Sequence, residues 1–172
     1  MHIFEDEWIL RKEIVKSRLK TMLGKYDNRI YARQCSITEV TAADAKTFLE
    51  ENHLQGKINS SVNYGLSFNR QIVALMTFGK LRKILGSNSK TNVWEMLRFC
   101  CKCNMKIVGA AGKLLNYFVN THHPEKIVSY ADYRWSTGKL YLALGFKKKH
   151  LSRPNYWYVK VGTINRLHRA GF

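Results

Sequence analysis

Segments able to do chemistry stand out before any element is assigned. In Lys106-Ile107-Val108-Gly109-Ala110-Ala111-Gly112-Lys113 an apolar pair runs into small residues, and Leu114, Leu115 and Phe118 follow at helical spacing. Small residues at a helix start bring backbone N–H groups against phosphate oxygens, and the positive end of the helix favours the charge. The same composition also serves tight packing of a helix end, so the segment by itself leaves both readings open. A different chemistry is offered by Lys147-Lys148-Lys149-His150 with Arg153, Tyr156, Trp157 and Tyr158. Cations neutralise phosphate, and an aromatic face stacks on an unpaired base for about 1 to 3 kcal/mol. Strand alternation would place part of these aromatics in the core. It leaves the lysine run unexplained.

Cys100, Cys101 and Cys103, with His122 and His123 downstream, are metal-ligand types, and Cys100 and Cys103 have C-x-x-C spacing. No zinc is expected, because no second pair completes a ligand set and a continuing strand sends Cys100 and Cys103 to opposite faces. With Cys35 they are read as reduced, small apolar fillers. Bulk charge points elsewhere: 29 Lys+Arg against 12 Asp+Glu gives +17, spread along most of the chain. Such a surface seeks a polyanion, and nucleic acid is the default because phosphate neutralisation releases counterions. No membrane partner is expected, since no apolar run approaches the roughly 20 residues of a span. The acidic start, Glu5-Asp6-Glu7, does not suit a signal or transit peptide, so the protein is expected to stay in the compartment where it is made.

The elements that must position these groups follow from periodicity. With 45% apolar residues, 2 Pro and no low-complexity tract, the chain can bury a core of its own. Residues 6–23 read as one helix carrying Trp8, Ile14, Val15 and Leu19, ended by Gly24. A turn-rich bridge over 25–30 separates residues 1–30, an N-terminal helical extension, from a main domain of residues 31–172. A strand is expected over 31–40. Thr41-Ala42-Ala43-Asp44 matches a variant of the capping box, opening a helix with Phe48 and Leu49 inward that ends near His53. Strands at 62–68 and 72–78 form a hairpin around 69–71, and 94–99 is the third strand of the meander. Between them, Lys80, Arg82, Lys83 and Lys90 make an exposed loop, either solvated or touching phosphate. A helix over 109–120, a buried strand over 126–131, a helix over 137–144, and strands at 146–150 and 156–161 complete the chain. This order predicts a mixed α/β (α+β) sheet with flanking helices and one parallel crossover around Gly109.

With those elements placed, Lys106, Gly109 and Ala111 match the patterned positions of an R/Q-x-x-G-x-G/A loop, with lysine where the pattern has Arg or Gln. Lys139-Leu140-Tyr141-Leu142-Ala143-Leu144-Gly145-Phe146 follows at the expected distance. Together these segments resemble the pyrophosphate loop and the closing helix, Tyr and Gly-Phe of the GNAT acyltransferases, over about residues 31–161. The resemblance implies acetyl-CoA or another acyl-CoA held by Lys106, Val108, Gly109, Ala110, Ala111 and Gly112. It also implies Tyr141 as general acid near the thiol leaving group.

A narrower resemblance rests on Trp94-Glu95-Met96-Leu97-Arg98-Phe99, Ser129-Tyr130-Ala131-Asp132 and Gly138-Lys139-Leu140-Tyr141. These look like the GNAT-like domain of the phage Mom-type DNA-modification proteins, and like the C-terminal domain of phage homing-endonuclease-like proteins. His53, Arg98, Asp132 and Tyr141 fall at functional positions, with Leu54 where the family commonly has Tyr. The implied protein is phage-encoded, acts in the bacterial cytoplasm and transfers a small acyl-derived group to a base amine of DNA. A base inside a duplex is out of reach, so flipped or single-stranded DNA is the expected partner. Arg134, Lys147, Lys148, Lys149 and Arg153 are its expected contacts. Structural readings stand beside these roles: His53 capping a helix in its charged form, Arg98 and Asp132 forming an ion pair, and Tyr141 as core. Asp132 at the C-terminal end of a strand faces the crevice where α/β sheets bind ligands. Ile3-Phe4-Glu5-Asp6-Glu7-Trp8 and Ile14-Val15-Lys16-Ser17 resemble the final helix of the nuclease domain in the same endonuclease-like proteins. The carboxylates and lysine of a PD-(D/E)xK core are not in the chain, so no nuclease activity is expected. The alternative function is a DNA-binding module without chemistry, derived from such a fusion.

Overall fold

The computed structural model describes residues 1–80, 92–152, 154 and 156–168. Arg82, Lys83, Lys90 and Arg153 lie outside them. The main sheet has the order β2 (Ser36–Glu39), β3 (Val62–Phe68), β4 (Gln71–Lys80), β5 (Val93–Cys101) and β7 (Lys126–Val128). Neighbours are antiparallel except β5 and β7, which run parallel. The crossover between those two carries β6 (Met105–Val108) and α4 (Ala110–His122), as the sequence predicts around Gly109. The β3–β4 hairpin turns at Asn69 and Arg70, both at positive φ (49° and 63°), which matches the twist of the flanking strands.

Each face of the sheet is covered by a helix. Against one side α4 packs Leu114, Leu115 and Phe118, the last stacked on Phe78 at 3.6 Å. On the other, α3 (Ala42–Asn52) buries Phe48 and Leu49 against Leu75 and Cys100. The Thr41 cap forms as expected, its hydroxyl oxygen accepting the Asp44 N–H at 3.1 Å. One irregularity matters for function. Thr77 pairs with Arg98 while Phe78 pairs with Met96, so Leu97 is an extra residue in β5. The bulge leaves Met96 in the α4 core and puts Arg98 on the α3 side, in step with Cys100.

Several expected boundaries are corrected. The helix over 6–23 is two, α1 (Glu5–Leu10) and α2 (Lys12–Met22), broken at Arg11 with φ −132° and ψ 33°. There the Arg11 guanidinium donates to the Glu50 carbonyl at 3.1 Å and pairs with the Glu50 carboxylate. The strand over 31–40 is β1 (Asn28–Tyr31), a 3-10 turn (Ala32–Gln34) and β2. Pairing of β1 with β6 in parallel draws its start back into the expected bridge. β7 stops at Val128 and is only half-buried. The next helix shrinks to α5 (Lys139–Ala143), begun by Gly138 at φ +81°. No strand forms over 146–150: Gly145 at φ +84° turns the chain and Lys147 to Lys149 are exposed. The terminal strands are β8 (Trp157–Val159) and β9 (Arg166–His168), a ribbon separate from the main sheet.

The N-terminal helices are tied into this body. Ile14 and Val15 cluster with Leu54 and Trp135, and the Ser17 hydroxyl accepts the Asn104 N–H at 2.8 Å. Glu7, 5% exposed, receives Arg134 at 3.1 Å and Arg166 at 3.0 Å. Among the described residues no helix is long and apolar enough to cross a membrane.

Candidate active site

β5 and β7 pair only from Val93 to Glu95 and from Lys126 to Val128. Beyond that the strands part, with the Ser129 hydroxyl donating to the Met96 carbonyl at 2.9 Å. A cavity of about 770 Å³ opens in the gap, bounded by the start of α4, by α2 and by the end of α3. It collects His53, Arg98, Asp132 and Tyr141 from separate elements, together with Lys106 and Gly109 to Gly112. Val108 is not among its lining residues; it sits at the end of β6, paired with Tyr31.

The start of α4 is built on conformation and on free donors. Gly109 adopts φ +82°, and a Cβ there would meet only Ala32 at 3.7 Å, so glycine is needed for the backbone and not for space. The first bond closing the helix runs from Lys113 N–H to Gly109 O at 3.0 Å, so the N–H groups of Ala110, Ala111 and Gly112 lie in the unbonded first turn. The nearest atom to a Cβ at Gly112 is in Leu144, at 4.0 Å. Ala110 and Ala111 are themselves buried, so tight packing and free donors coexist here. Lys113 is turned away, its ammonium donating to the Ala32 carbonyl at 2.9 Å and to that of Cys35. Lys106 lies over the Tyr26 ring at 5.1 Å.

The opposite wall differs from expectation in its protonation. His53 follows α3, and its Nδ1 accepts the Gln55 N–H at 3.1 Å, which puts the ring proton on Nε2. Burial, then the charges of Arg98, Arg18 and Arg11, push its pKa down to about 3. At neutral pH it is a neutral donor, which corrects the charged helix cap. Arg98 and Asp132 form no ion pair. Asp132 is held instead by Arg134, at 2.8 Å through Nη2 and 3.3 Å through Nε, and its oxygen takes the Arg134 N–H at 3.0 Å. Arg134, expected on the DNA surface, spends its guanidinium on Asp132 and Glu7 and covers Phe4 at 4.5 Å. Tyr141 is half-buried, and its hydroxyl donates to the Tyr130 carbonyl at 3.2 Å.

Arg98 donates from Nη1 to the Leu97 carbonyl at 2.9 Å, while its buried Nε has no acceptor. Burial lowers its pKa, opposed by Glu95 and Tyr141 nearby. Arg18 of α2 also lines the cavity, its guanidinium 5.0 Å from the Trp135 ring. Sequence reasoning passed over both Arg18 and Trp135, because Arg18 sits in a run of helical cations and Trp135 follows no apolar period. At the lip, Tyr130 is 75% exposed, and Lys148 lies 5.5 Å from the Tyr133 ring. Tyr156 and Tyr158 are exposed and Trp157 half-buried, the alternation expected of a strand. Burial raises the Cys100 thiol well above its ordinary range and Cys101 to about 11; both are packed in apolar clusters.

No protein-family model matches the chain, and no curated protein matches it in sequence. Solved structures do match. An aminoglycoside acetyltransferase from an uncultured soil metagenomic sample, in complex with sisomicin, aligns with a TM-score of 0.54 at 12% identity, over 74% of this chain and 98% of its own. A GNAT-family acetyltransferase from Streptococcus pneumoniae gives 0.50 at 11% identity, over 70% and 98%. An aminoglycoside N-acetyltransferase in complex with CoA gives 0.50 at 13% identity, over 73% and 98%. The chain has the GNAT-like acetyltransferase fold, a mixed sheet with flanking helices.

Proposed function

We propose that this protein is an acyl-CoA-dependent transferase that moves a small acyl-derived group onto an amine of a nucleic-acid base, as in the Mom-type DNA modification its motifs resemble. The observation that carries the reading is the cavity itself. It joins the free N–H groups at the start of α4 to a wall bearing Arg98, His53 and Tyr141. The residues suit acetyl-CoA or another acyl-CoA: Ala110, Ala111 and Gly112 offer backbone donors to a pyrophosphate, and no side chain fills the space at Gly112. Bound there, the cofactor supplies an activated thioester.

The chain's own residues then divide the work. Tyr141 holds a proton on its hydroxyl beside the cavity and serves as general acid. Arg98 stabilises negative charge with donors that need no reorganisation. His53 orients the acceptor through Nε2–H. Neither it nor Asp132 is left as a free base, since Gln55 occupies Nδ1 and Arg134 holds the carboxylate, so the amine's proton passes to water. Nucleic acid is favoured as acceptor by the +17 charge, by the exposed Lys147, Lys148 and Lys149, and by Tyr130 as a stacking surface at the lip. The occupied Asp132 and His53 also favour a second reading, a DNA-binding module without chemistry. Calorimetric titration with acetyl-CoA separates them: saturable binding supports the transferase, and no heat at millimolar acetyl-CoA leaves the binding module.

A further inference from the structure

We infer that the α3-side wall of the cavity is a phosphate site, in which Arg18 of the N-terminal extension and Arg98 of β5 grip one phosphate of the nucleotide substrate. Both guanidinium groups are partly buried, and their burial disfavours the charged form. Neither forms an ion pair among the described residues. Arg98 uses one donor on the Leu97 carbonyl and leaves Nε buried without an acceptor; Arg18 lies over Trp135, whose own Nε1 is buried and unpartnered. Opposite Arg98 in the sheet, the fully buried Thr77 hydroxyl also lacks a partner.

Unpartnered buried donors are costly, and two of them, on Arg98 and Trp135, belong to residues that line one cavity. Two of the nearby carboxylates are committed. Asp132 faces Arg18 and is held by Arg134, while Glu7 takes Arg134, Arg166 and the Phe4 N–H. Glu95 acts on Arg98 without hydrogen-bonding it. What is missing is an acceptor with several oxygens, and guanidinium forks match phosphate in both charge and geometry. His53, kept neutral between these arginines, adds an Nε2–H donor to the same wall. The bulge at Leu97 is the device that turns Arg98 to this side, away from the start of α4. The N-terminal extension thus completes the site.

That the phosphate belongs to a nucleotide rests on the transferase reading above; the anion chemistry of the wall does not. The test titrates the full chain with a single-stranded ten-nucleotide oligodeoxynucleotide, a nucleoside monophosphate, the matching nucleoside and acetyl-CoA. Wild type is compared with Arg18→Gln, Arg18→Lys and Arg98→Lys, each checked by thermal unfolding. In wild type the oligonucleotide and the monophosphate bind and the nucleoside does not. Arg18→Gln weakens them by about tenfold, the order of one charged hydrogen bond, and lowers the salt slope for the oligonucleotide by about one. Acetyl-CoA affinity stays the same. Binding of the oligonucleotide alone assigns the site to a strand's phosphodiester; binding of the monophosphate as well assigns it to a nucleotide phosphate in general. Should the Gln variant unfold at the assay temperature, the two Lys variants carry the test, each weakening phosphate ligands severalfold. Equal affinities across all folded variants overturn the assignment, as does a parallel loss of acetyl-CoA, which would make the site the donor's. Arg18-dependent nucleotide binding without any acetyl-CoA binding keeps the phosphate site and removes the transferase. Acetyl-CoA binding with Arg18-independent nucleotide binding does the reverse.

Discussion

His53→Gln tests the electrostatics of the cavity wall through the pH dependence of folding. In the unfolded chain the imidazole takes up a proton near pH 6.5; in the folded protein burial and three arginines delay this to about pH 3. Between those values the unfolded state binds the additional proton, so stability rises with pH. The contribution is fully present above 6.5 and is lost as pH falls toward 3. Each pH unit is about 1.4 kcal/mol, so moving from pH 6.5 to 4.5 costs the wild type up to about 2.5 kcal/mol through this residue alone. Glutamine does not titrate and removes only that part, whatever the carboxylates contribute to both proteins. Urea unfolding of wild type and variant at half-unit pH intervals, in buffers without phosphate, gives the difference directly. The stability of wild type relative to the variant should fall steadily below pH 6.5. A relative stability that stays constant, or that rises in favour of wild type as pH falls, would mean that the fold does not hold the His53 pKa down and would refute the reasoning.

Other outcomes follow from the same geometry. Gly112→Ala should raise stability by about 0.5 to 1 kcal/mol, since a helical glycine gains a methyl whose nearest neighbour, Leu144, stands at an unstrained 4.0 Å. The same methyl, set among the free N–H groups of α4, should weaken acetyl-CoA binding at least tenfold by calorimetry, about 1.4 kcal/mol. Glu7→Ala leaves Arg134 and Arg166 without their shared carboxylate and should cost about 3 kcal/mol of unfolding free energy; an unchanged denaturation midpoint would show the cluster to be ornamental. Replacing Lys147, Lys148 and Lys149 together by Ala should leave circular dichroism intact, because all are exposed. It should reduce the slope of log affinity against log salt for single-stranded DNA by about 2, as read by fluorescence anisotropy.

What could be read from the sequence was whatever neighbouring residues decide. The Thr41 cap, the β3–β4 hairpin and the Gly109 start of α4 are set within a few residues and formed as expected. The break at Arg11 was illegible, because the apolar period runs through it and the pull comes from Glu50 across the fold. The expected 146–150 strand failed for the opposite reason: a plausible local pattern found no neighbouring strand to pair with. Of the site, His53, Arg98, Asp132 and Tyr141 do meet in one cavity. Their states depend on contacts that no spacing shows. The bulge that orients Arg98 is a register shift between β4 and β5, and the charge on His53 is decided by its burial and then by Arg98, Arg18 and Arg11, all distant in sequence. The Arg134 clamp on Asp132 and the Gln55 N–H on His53 Nδ1, each only two residues away, are features that local reading could have found.

The transferase reading is tested most directly by mass spectrometry of nucleosides from DNA co-expressed with the protein. Wild type should yield a nucleoside heavier by an acyl-derived group, and Tyr141→Phe, which keeps the ring but loses the hydroxyl proton, should reduce its yield by roughly 10² while DNA affinity holds. DNA whose nucleosides are indistinguishable from those of cells lacking the protein, with wild type folded and bound to DNA, would contradict the account.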